Sequence, residues 1–325
     1  MLALCSDITI GKFKNVKPHE VKVSTSIFEY VDKATIKLPL TARIKQAGKV
    51  VTATTETAKE IQEGDAVTIK LGYNGSLKTE FTGFVARLNY TSPLEIECEG
   101  YSYQLRKKQM SGTLVKTTLL AVMKKLIEGT DIVLDEKKIP NFPIDKLILE
   151  KKSGTDVLEM IKKTSGNLIR FTFNGNVLWG GLTYLQNRGE VKYRLGYNVI
   201  KDGNLKKREA KNDNVIVTWK GEMKDGTKVT ATSGSKGQVK VKTSHAITDK
   251  SALKQLADAD VQKQSYDGYE GKITAFGSPF CEAGYKCILE DKKYPDRGGN
   301  YVVQSVEVVY GMSGFRRTVG IGAKL

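Results

Sequence analysis

The sequence predicts a mainly β fold with α+β parts, arranged as two β-barrel domains packed with a small α+β module. Three observations predict it. Apolar and polar residues alternate with period two through the first hundred residues, which is the mark of half-buried strands. Helical spacing appears after Arg106-Lys107-Lys108 and then gives way to a hairpin. From Lys192 onward, short β-prone segments return between glycine-rich turns.

The elements follow in order. Val21, Val23 and Ile27 share one face of the first segment, Ile36, Leu38 and Leu40 that of the next, and Val67, Ile69 and Leu71 that of the third. In 94–99 the alternation is clearest: Leu94, Ile96 and Cys98 point one way, Glu95, Glu97 and Glu99 the other. Asn74-Gly75 lies between Leu71 and Phe81, and this dipeptide supplies the positive φ angles of a tight hairpin. Many short strands at close spacing favour a barrel or sandwich. Residues 1–106 therefore read as the first barrel.

Next, Leu119, Met123, Leu126 and Ile127 recur at helical spacing, and Gly129 stands where a C-terminal cap belongs. A second helix starts near Ser153 or Thr155, because Ser153 and Asp156 match a capping pair. Val157, Leu158 and Ile161 form its apolar stripe, and Ser165-Gly166 ends it. Segments 168–173 and 177–179 flank Asn174-Gly175 as a hairpin. Residues 107–190 read as the α+β module.

Beyond it, Val215, Val217 and Trp219 lead through Asp225-Gly226 to Val229 as another hairpin. A helix is expected over 249–264, with Leu253, Leu256, Ala257 and Val261 on one side. Strands are expected over 271–276, 285–289, 301–310 and 315–321, turned by Gly298-Gly299 and by Gly311 to Gly314. Residues 191–325 read as a second barrel carrying one helix.

Composition narrows the function. With 325 residues, 40% hydrophobic and 27% charged, the chain can bury a sizeable core without staples. No stretch approaches the roughly twenty apolar residues of a membrane span. The apolar start lacks a basic region and meets Asp7 almost at once, so no signal peptide is expected. Synthesis in a cytoplasm follows, and Cys5, Cys98, Cys281 and Cys287 fit a reducing compartment. The gap between Cys281 and Cys287 matches no common zinc spacing. Cys98 reads as a buried strand residue.

The catalytic inventory is thin. His19 and His245 are the only two histidines, and neither has a nucleophile–base partner motif beside it. No G-x-S-x-G or H-E-x-x-H pattern occurs. Gly234-Ser235-Lys236-Gly237 lies between strand-like segments and departs from the phosphate-loop pattern. No catalytic, cofactor-binding or metal-binding residue is expected, and no cofactor.

Charge suggests an interaction surface instead. The formal net charge is +16, which favours polyanionic or acidic partners. Between Lys201 and Lys242 there are eleven Lys or Arg against five Asp or Glu, with Trp219 as the one aromatic. Single-strand nucleic-acid binders need stacking platforms as well as charge, whereas docking to an acidic protein face needs charge only. The candidate basic residues are Lys201, Lys206, Lys207, Arg208 and Lys211 in the first part of the stretch. Lys236, Lys240 and Lys242 follow in the second. Glu95, Glu97 and Glu99 are the candidate acidic counterpart on a neighbouring copy, against the plainer reading that they are simply solvated.

The C-terminal third carries a resemblance. It consists of Tyr269-Glu270-Gly271-Lys272-Ile273-Thr274-Ala275-Phe276-Gly277, then Gly284-Tyr285-Lys286, Asp296, Gly298-Gly299 and Tyr301-Val302-Val303 with Val306. Gly314-Phe315-Arg316-Arg317-Thr318-Val319-Gly320 closes the series. This series resembles the late control D family of tail proteins, the baseplate hubs of contractile phage tails, and the hub half of VgrG-type spikes in type VI secretion. Glu80-Phe81-Thr82-Gly83-Phe84-Val85 with 94–105 is similar to the first barrel of such hubs. Leu195-Gly196-Tyr197-Asn198-Val199-Ile200 is similar to the opening of the second.

The resemblance implies a non-enzymatic structural protein. Three copies would form a ring whose six barrels adapt a hexameric tail tube to a threefold spike. It implies as partners the tail-tube protein, a separate spike protein of OB-fold and β-helix type, and a tape-measure protein, with DNA only as passing cargo. It implies assembly into the tail tip or baseplate of a tail-like injection particle. Two readings compete with it: a basic β-rich module binding nucleic acid or anionic glycan, and a cell-wall hydrolase, for which no acid/base pair can be named.

Overall fold

The structure, a computed structural model, describes residues 3–46, 49–140, 142–182, 189–203, 205–209, 214–223, 225–264 and 266–325. One 13-stranded sheet organises it. Its N-terminal strands run, in spatial order, Leu4–Ile10, Ala66–Tyr73, Ser76–Asn89, Leu94–Glu99, Lys33–Leu38 and Glu20–Ser26. The ladder then passes directly into Gly299–Gly311, Gly314–Lys324, Gly268–Phe276 and Val199–Lys201. Lys286–Glu290 with Glu190–Arg194, and separately Lys206–Arg208, pair at the C-terminal side.

The mainly β class is thus what the chain adopts, but no closed barrel occurs among the described residues. The physical reason lies in Gly299–Gly311, a strand of 13 residues. One of its edges takes Gly314–Lys324. The other is shared, since Lys286–Glu290 covers its start and Glu20–Ser26 covers the rest, with Glu20 opposite Gly311 and Ser26 opposite Ser305. The two ends of the chain therefore complete one sheet instead of each closing on itself.

That sheet folds over one core. Ile8, Ile36 and Ile69 from the N-terminal strands and Val303, Val319 and Ile321 from the C-terminal ones are at most 1% exposed and share a cluster. Each such side chain contributes about 1.5–3 kcal/mol on burial. Leu94, Ile96 and Cys98 point into it, as their alternation predicts. Asn74 and Gly75, at φ 50° and 82°, make the expected turn between Tyr73 and Ser76. Leu40 departs from expectation. Its strand ends at Leu38, and Leu40 is half exposed at the root of a two-stranded arm, Thr41–Gln46 with Lys49–Glu56.

A second core gathers the α+β parts. Helix Leu119–Ile127 starts on Thr118, whose hydroxyl accepts from the Ala121 amide at 3.2 Å. Helix Gly154–Thr164 carries the full capping box of Ser153 and Asp156. The hairpin Ile169–Asn174 with Val177–Leu182 turns on Gly175, at φ 56°. Strand Val215–Glu222, flanked by Lys228–Ser233 and Gln238–Ser244, packs into this same core together with helix Lys250–Gln264. Trp219 marks the join: a Cβ on Gly166, just past helix Gly154–Thr164, would sit 2.9 Å from its ring. Helix Ser102–Lys107 and the two-stranded sheet Gln109–Thr118 with Pro143–Ser153 had no counterpart in the periodicity.

Candidate interaction surfaces

The basic stretch is distributed over two sheets. Lys201, Lys206, Lys207 and Arg208 lie on the short strands that border Gly268–Phe276 in the large sheet. Lys201, Lys206 and Lys207 are exposed, and Lys207 pairs with Glu209 at 3.0 Å. Arg208 stacks over Tyr266 at 4.2 Å and reaches Glu270 at 3.6 Å, so its charge is used within the chain. Lys211 lies outside the described residues. Lys236, Lys240 and Lys242 lie in or beside the separate strand Gln238–Ser244. Lys236 and Lys240 are exposed, while Lys242 pairs with the buried Asp260 and covers the Trp219 ring at 5.7 Å.

The acidic row divides as well. Glu95 and Glu97 are half-buried and accept from one amide, Asn89 Nδ2, at 3.4 and 2.7 Å. Glu99 is buried. Arg106 grips it with Nε at 3.0 Å and a terminal nitrogen at 2.9 Å, and the Ser102 hydroxyl donates at 2.7 Å. Alternation assigns the correct face to Glu99, but helix Ser102–Lys107 folds back over it. A carboxylate so fully satisfied is an internal anchor.

The most deeply buried ion pair among the described residues joins segments that no sequence pattern connects. Arg317 is 1% exposed and meets Glu80 at 2.6 Å, bridging the N- and C-terminal strands. Its remaining donors go to the carbonyls of Gly277, at 3.0 and 3.2 Å, and Cys281, at 2.9 Å. Burial raises the Glu80 carboxyl above its usual range, against the pull of Arg317. Both residues stand within the quoted motif segments, so the signal was present without a geometry to join it. A cavity of about 200 Å³ adjoins the pair, lined by Thr25, Thr79, Thr172 and Phe280 among others. Among the described residues, no cluster of three metal-ligating side chains occurs.

A rim of apolar side chains was also missed. Leu40, Tyr90 and Met312 are 48%, 77% and 96% exposed. They stand where Lys33–Leu38 ends and in the turns after Ser76–Asn89 and after Gly299–Gly311, all at one end of adjoining strands. The two turns are four strand spacings apart, about 19 Å. Bulky apolar residues in turns are the sequence signal, since turns favour small polar ones. The opposite ends of these strands are covered. There the Tyr30 hydroxyl donates to the Thr155 carbonyl at 3.1 Å, and Arg170 stacks over Phe28 at 4.6 Å.

Comparison with solved structures finds the same fold over the full chain. The tail protein from Neisseria meningitidis MC58 superposes with TM-score 0.66 at 12% identity, over 98% of this chain and 96% of that one. The 43 kDa tail protein of prophage MuSo2 from Shewanella oneidensis gives TM-score 0.62 at 13% identity, over 98% and 97%. An E. coli protein described as a component of the type VI secretion system, structurally similar to T4 bacteriophage tail proteins, gives 0.61 at 10% identity, over 98% and 77%. No protein-family model and no curated protein matches the chain. At such identities the likeness is one of fold.

Proposed function

We propose that this chain is the structural hub subunit of a phage tail or related contractile injection system. Three copies form a pseudo-sixfold ring that joins a hexameric tail tube to a trimeric spike carried on a separate protein. The observation that carries this reading is the match of fold to tail proteins over 98% of this chain and 96–97% of theirs. At one end of the large sheet, the outer edge of Leu4–Ile10 is met at Ile8 and Ile10 by the segment 13–17, whose Val16 amide donates to the Ile8 carbonyl at 2.9 Å. At the other end lie the short basic strands beside Gly268–Phe276, and among the described residues neither end pairs with a further strand. Open edges invite pairing, and head-to-tail pairing of different edges closes a ring when the rotation fits.

In this reading the bare apolar rim of Leu40, Tyr90 and Met312 faces the tube, because the other ends of those strands are occupied by the α+β module. The arm rooted at Leu40 leaves from the same rim, its base pinned by the Thr57 amide on the Leu40 carbonyl at 2.8 Å and the Thr57 hydroxyl on the Pro39 carbonyl at 2.7 Å. The protein is made in a bacterial cytoplasm and assembled in a tail tip or baseplate. Its role is non-enzymatic. DNA and a tape-measure protein pass through the ring. A nucleic-acid or glycan binder draws less support, since Arg208 and Lys242 spend their charge internally.

Native mass measurement at rising protein concentration tests the reading. Trimers or their ring-shaped images are expected. A persistent monomer whose DNA affinity falls steeply with salt is the result that overturns it.

A further inference from the structure

The large sheet and the α+β parts pack around separate cores, and the cavity of about 200 Å³ lies between them. Val23 and Phe81 line it from the first core, and Phe173 and Gly175 line it from the hairpin of the second body. The interior of one packed unit leaves few voids larger than a water molecule. A gap of this size marks a joint. Among the described residues, regular elements of the two bodies approach closely at one place, helix Ser102–Lys107 against strand Ser76–Asn89.

That place has the build of a pivot. The Phe84 ring meets those of Tyr101 and Tyr103 at 5.4 and 5.5 Å, and Arg106 holds Glu99. A strap, residues 27–32 between Glu20–Ser26 and Lys33–Leu38, enters the second core through Tyr30. Lys162, 7% exposed, donates to the Phe28 carbonyl at 3.5 Å and lies 5.5 Å over the Tyr30 ring. The Gly100 amide, where the chain crosses between the bodies, donates to the Asp32 carbonyl at 2.9 Å. Strap and crossing are thus tied together. A narrow joint between two separately packed bodies permits rotation about it.

The hairpin tip meets the sheet at Thr82, where a Cβ on Gly175 would stand 3.8 Å from the hydroxyl oxygen. We propose that the α+β body is a moving part, which pivots about Phe84, Glu99 and the strap and swings the hairpin tip away from Thr82. The structure holds the closed position. Opening admits water to Glu80 and Arg317, which line the cavity. A partner bound to the α+β body therefore acts on the seam between the first and last strands. This device is independent of the hub reading and holds for a trimer or a monomer.

Thr82→Cys with Gly175→Cys staples the closed position, since the Cβ atoms of a disulfide stand about 3.5–4.5 Å apart. Cys5 is the one cysteine that is not buried, and Val115 is 59% exposed on the α+β body. Spin labels on Cys5 and on Val115→Cys report the distance between the bodies by pulsed electron resonance. The unstapled chain is expected to give a broad distribution, and the staple, oxidised before labelling, to narrow it about twofold. A control pair within the sheet, Cys5 with Tyr90→Cys, is expected to be unaffected. Gly175 has φ 56°, which a cysteine adopts at a cost, so circular dichroism checks the fold of the stapled chain. Where that chain does not fold, the unstapled pair decides alone. An unstapled distribution as narrow as that of the control pair, a staple that leaves it unchanged, or folded thiols that fail to join under copper phenanthroline each overturns the proposal.

Discussion

Arg317 and Glu80 meet at 2.6 Å in the seam where the first and last parts of the chain share a core. Each brings what the other requires: the Glu80 side chain is 3% exposed with Arg317 as its neutralising partner, and Arg317 spends its other donors on backbone carbonyls. Breaking one member of a buried pair leaves the other charge uncompensated and costs about 3–5 kcal/mol. Arg317→Met is therefore expected to lower unfolding stability by that amount. The double variant with Glu80→Leu is expected to recover most of it, and urea denaturation of the four proteins in a mutant cycle measures the coupling.

Lys242 and Lys236 separate a structural lysine from a surface one. Lys242 pairs with Asp260, which is 2% exposed, whereas Lys236 is exposed in a turn. Lys242→Met is expected to cost about 3 kcal/mol, because the buried Asp260 loses this cation. Lys236→Met is expected to stay within about 0.5 kcal/mol of the parent. Thermal unfolding of both variants checks the contrast, and equal effects contradict it.

Gly83 is required by a close approach. A Cβ there would lie 2.2 Å from the Glu99 carbonyl oxygen, where Ser76–Asn89 meets Leu94–Glu99. Gly83→Ala forces those strands apart and is expected to destabilise the protein by about 1–3 kcal/mol, the usual cost of overpacking. Faster exchange of the amides in 94–99 locates the damage. Unchanged exchange there argues against this account.

The capping box carries a pH dependence. Hydrogen bonds from the Ser153 hydroxyl and amide hold the Asp156 carboxyl below its ordinary 3.8. The folded state thus favours the charged form, so its stabilisation is present above 3.8 and is lost as pH falls through the lowered folded value. Asp156→Ala is expected to cost about 1 kcal/mol at neutral pH. Urea unfolding at decreasing pH is expected to show the gap between variant and parent narrowing below 3.8. A gap that is constant with pH assigns the effect elsewhere.

Local chemistry was legible in the sequence, whereas pairing between distant segments was not. The capping box at Ser153, the turns at Asn74-Gly75 and Asp225-Gly226, and the stripe Leu253, Leu256 and Ala257 all rest on neighbours within a few residues. Closure of the barrels failed because the partner of Val23 is Val308, and no alternation pattern names a partner that far along the chain. Glu99 shows the same limit at short range. Its face was read correctly, yet only the return of Arg106 over it turns an apparent surface acid into an anchor. Glu80 and Arg317 lie 237 positions apart, so neither could be recognised as buried until both were in place.

The ladder from Glu20–Ser26 to Gly299–Gly311 fixes when this protein can become itself. On the ribosome, the first strands emerge long before the one that completes them, and they wait with an exposed flank while the middle module matures. Such distant pairing slows folding and leaves intermediates prone to aggregate. A chain truncated ahead of residue 299 is accordingly expected to accumulate in the insoluble fraction, and co-expression of the missing piece to return it to solution. Synthesis through the last hairpin is thereby required before the large sheet is complete.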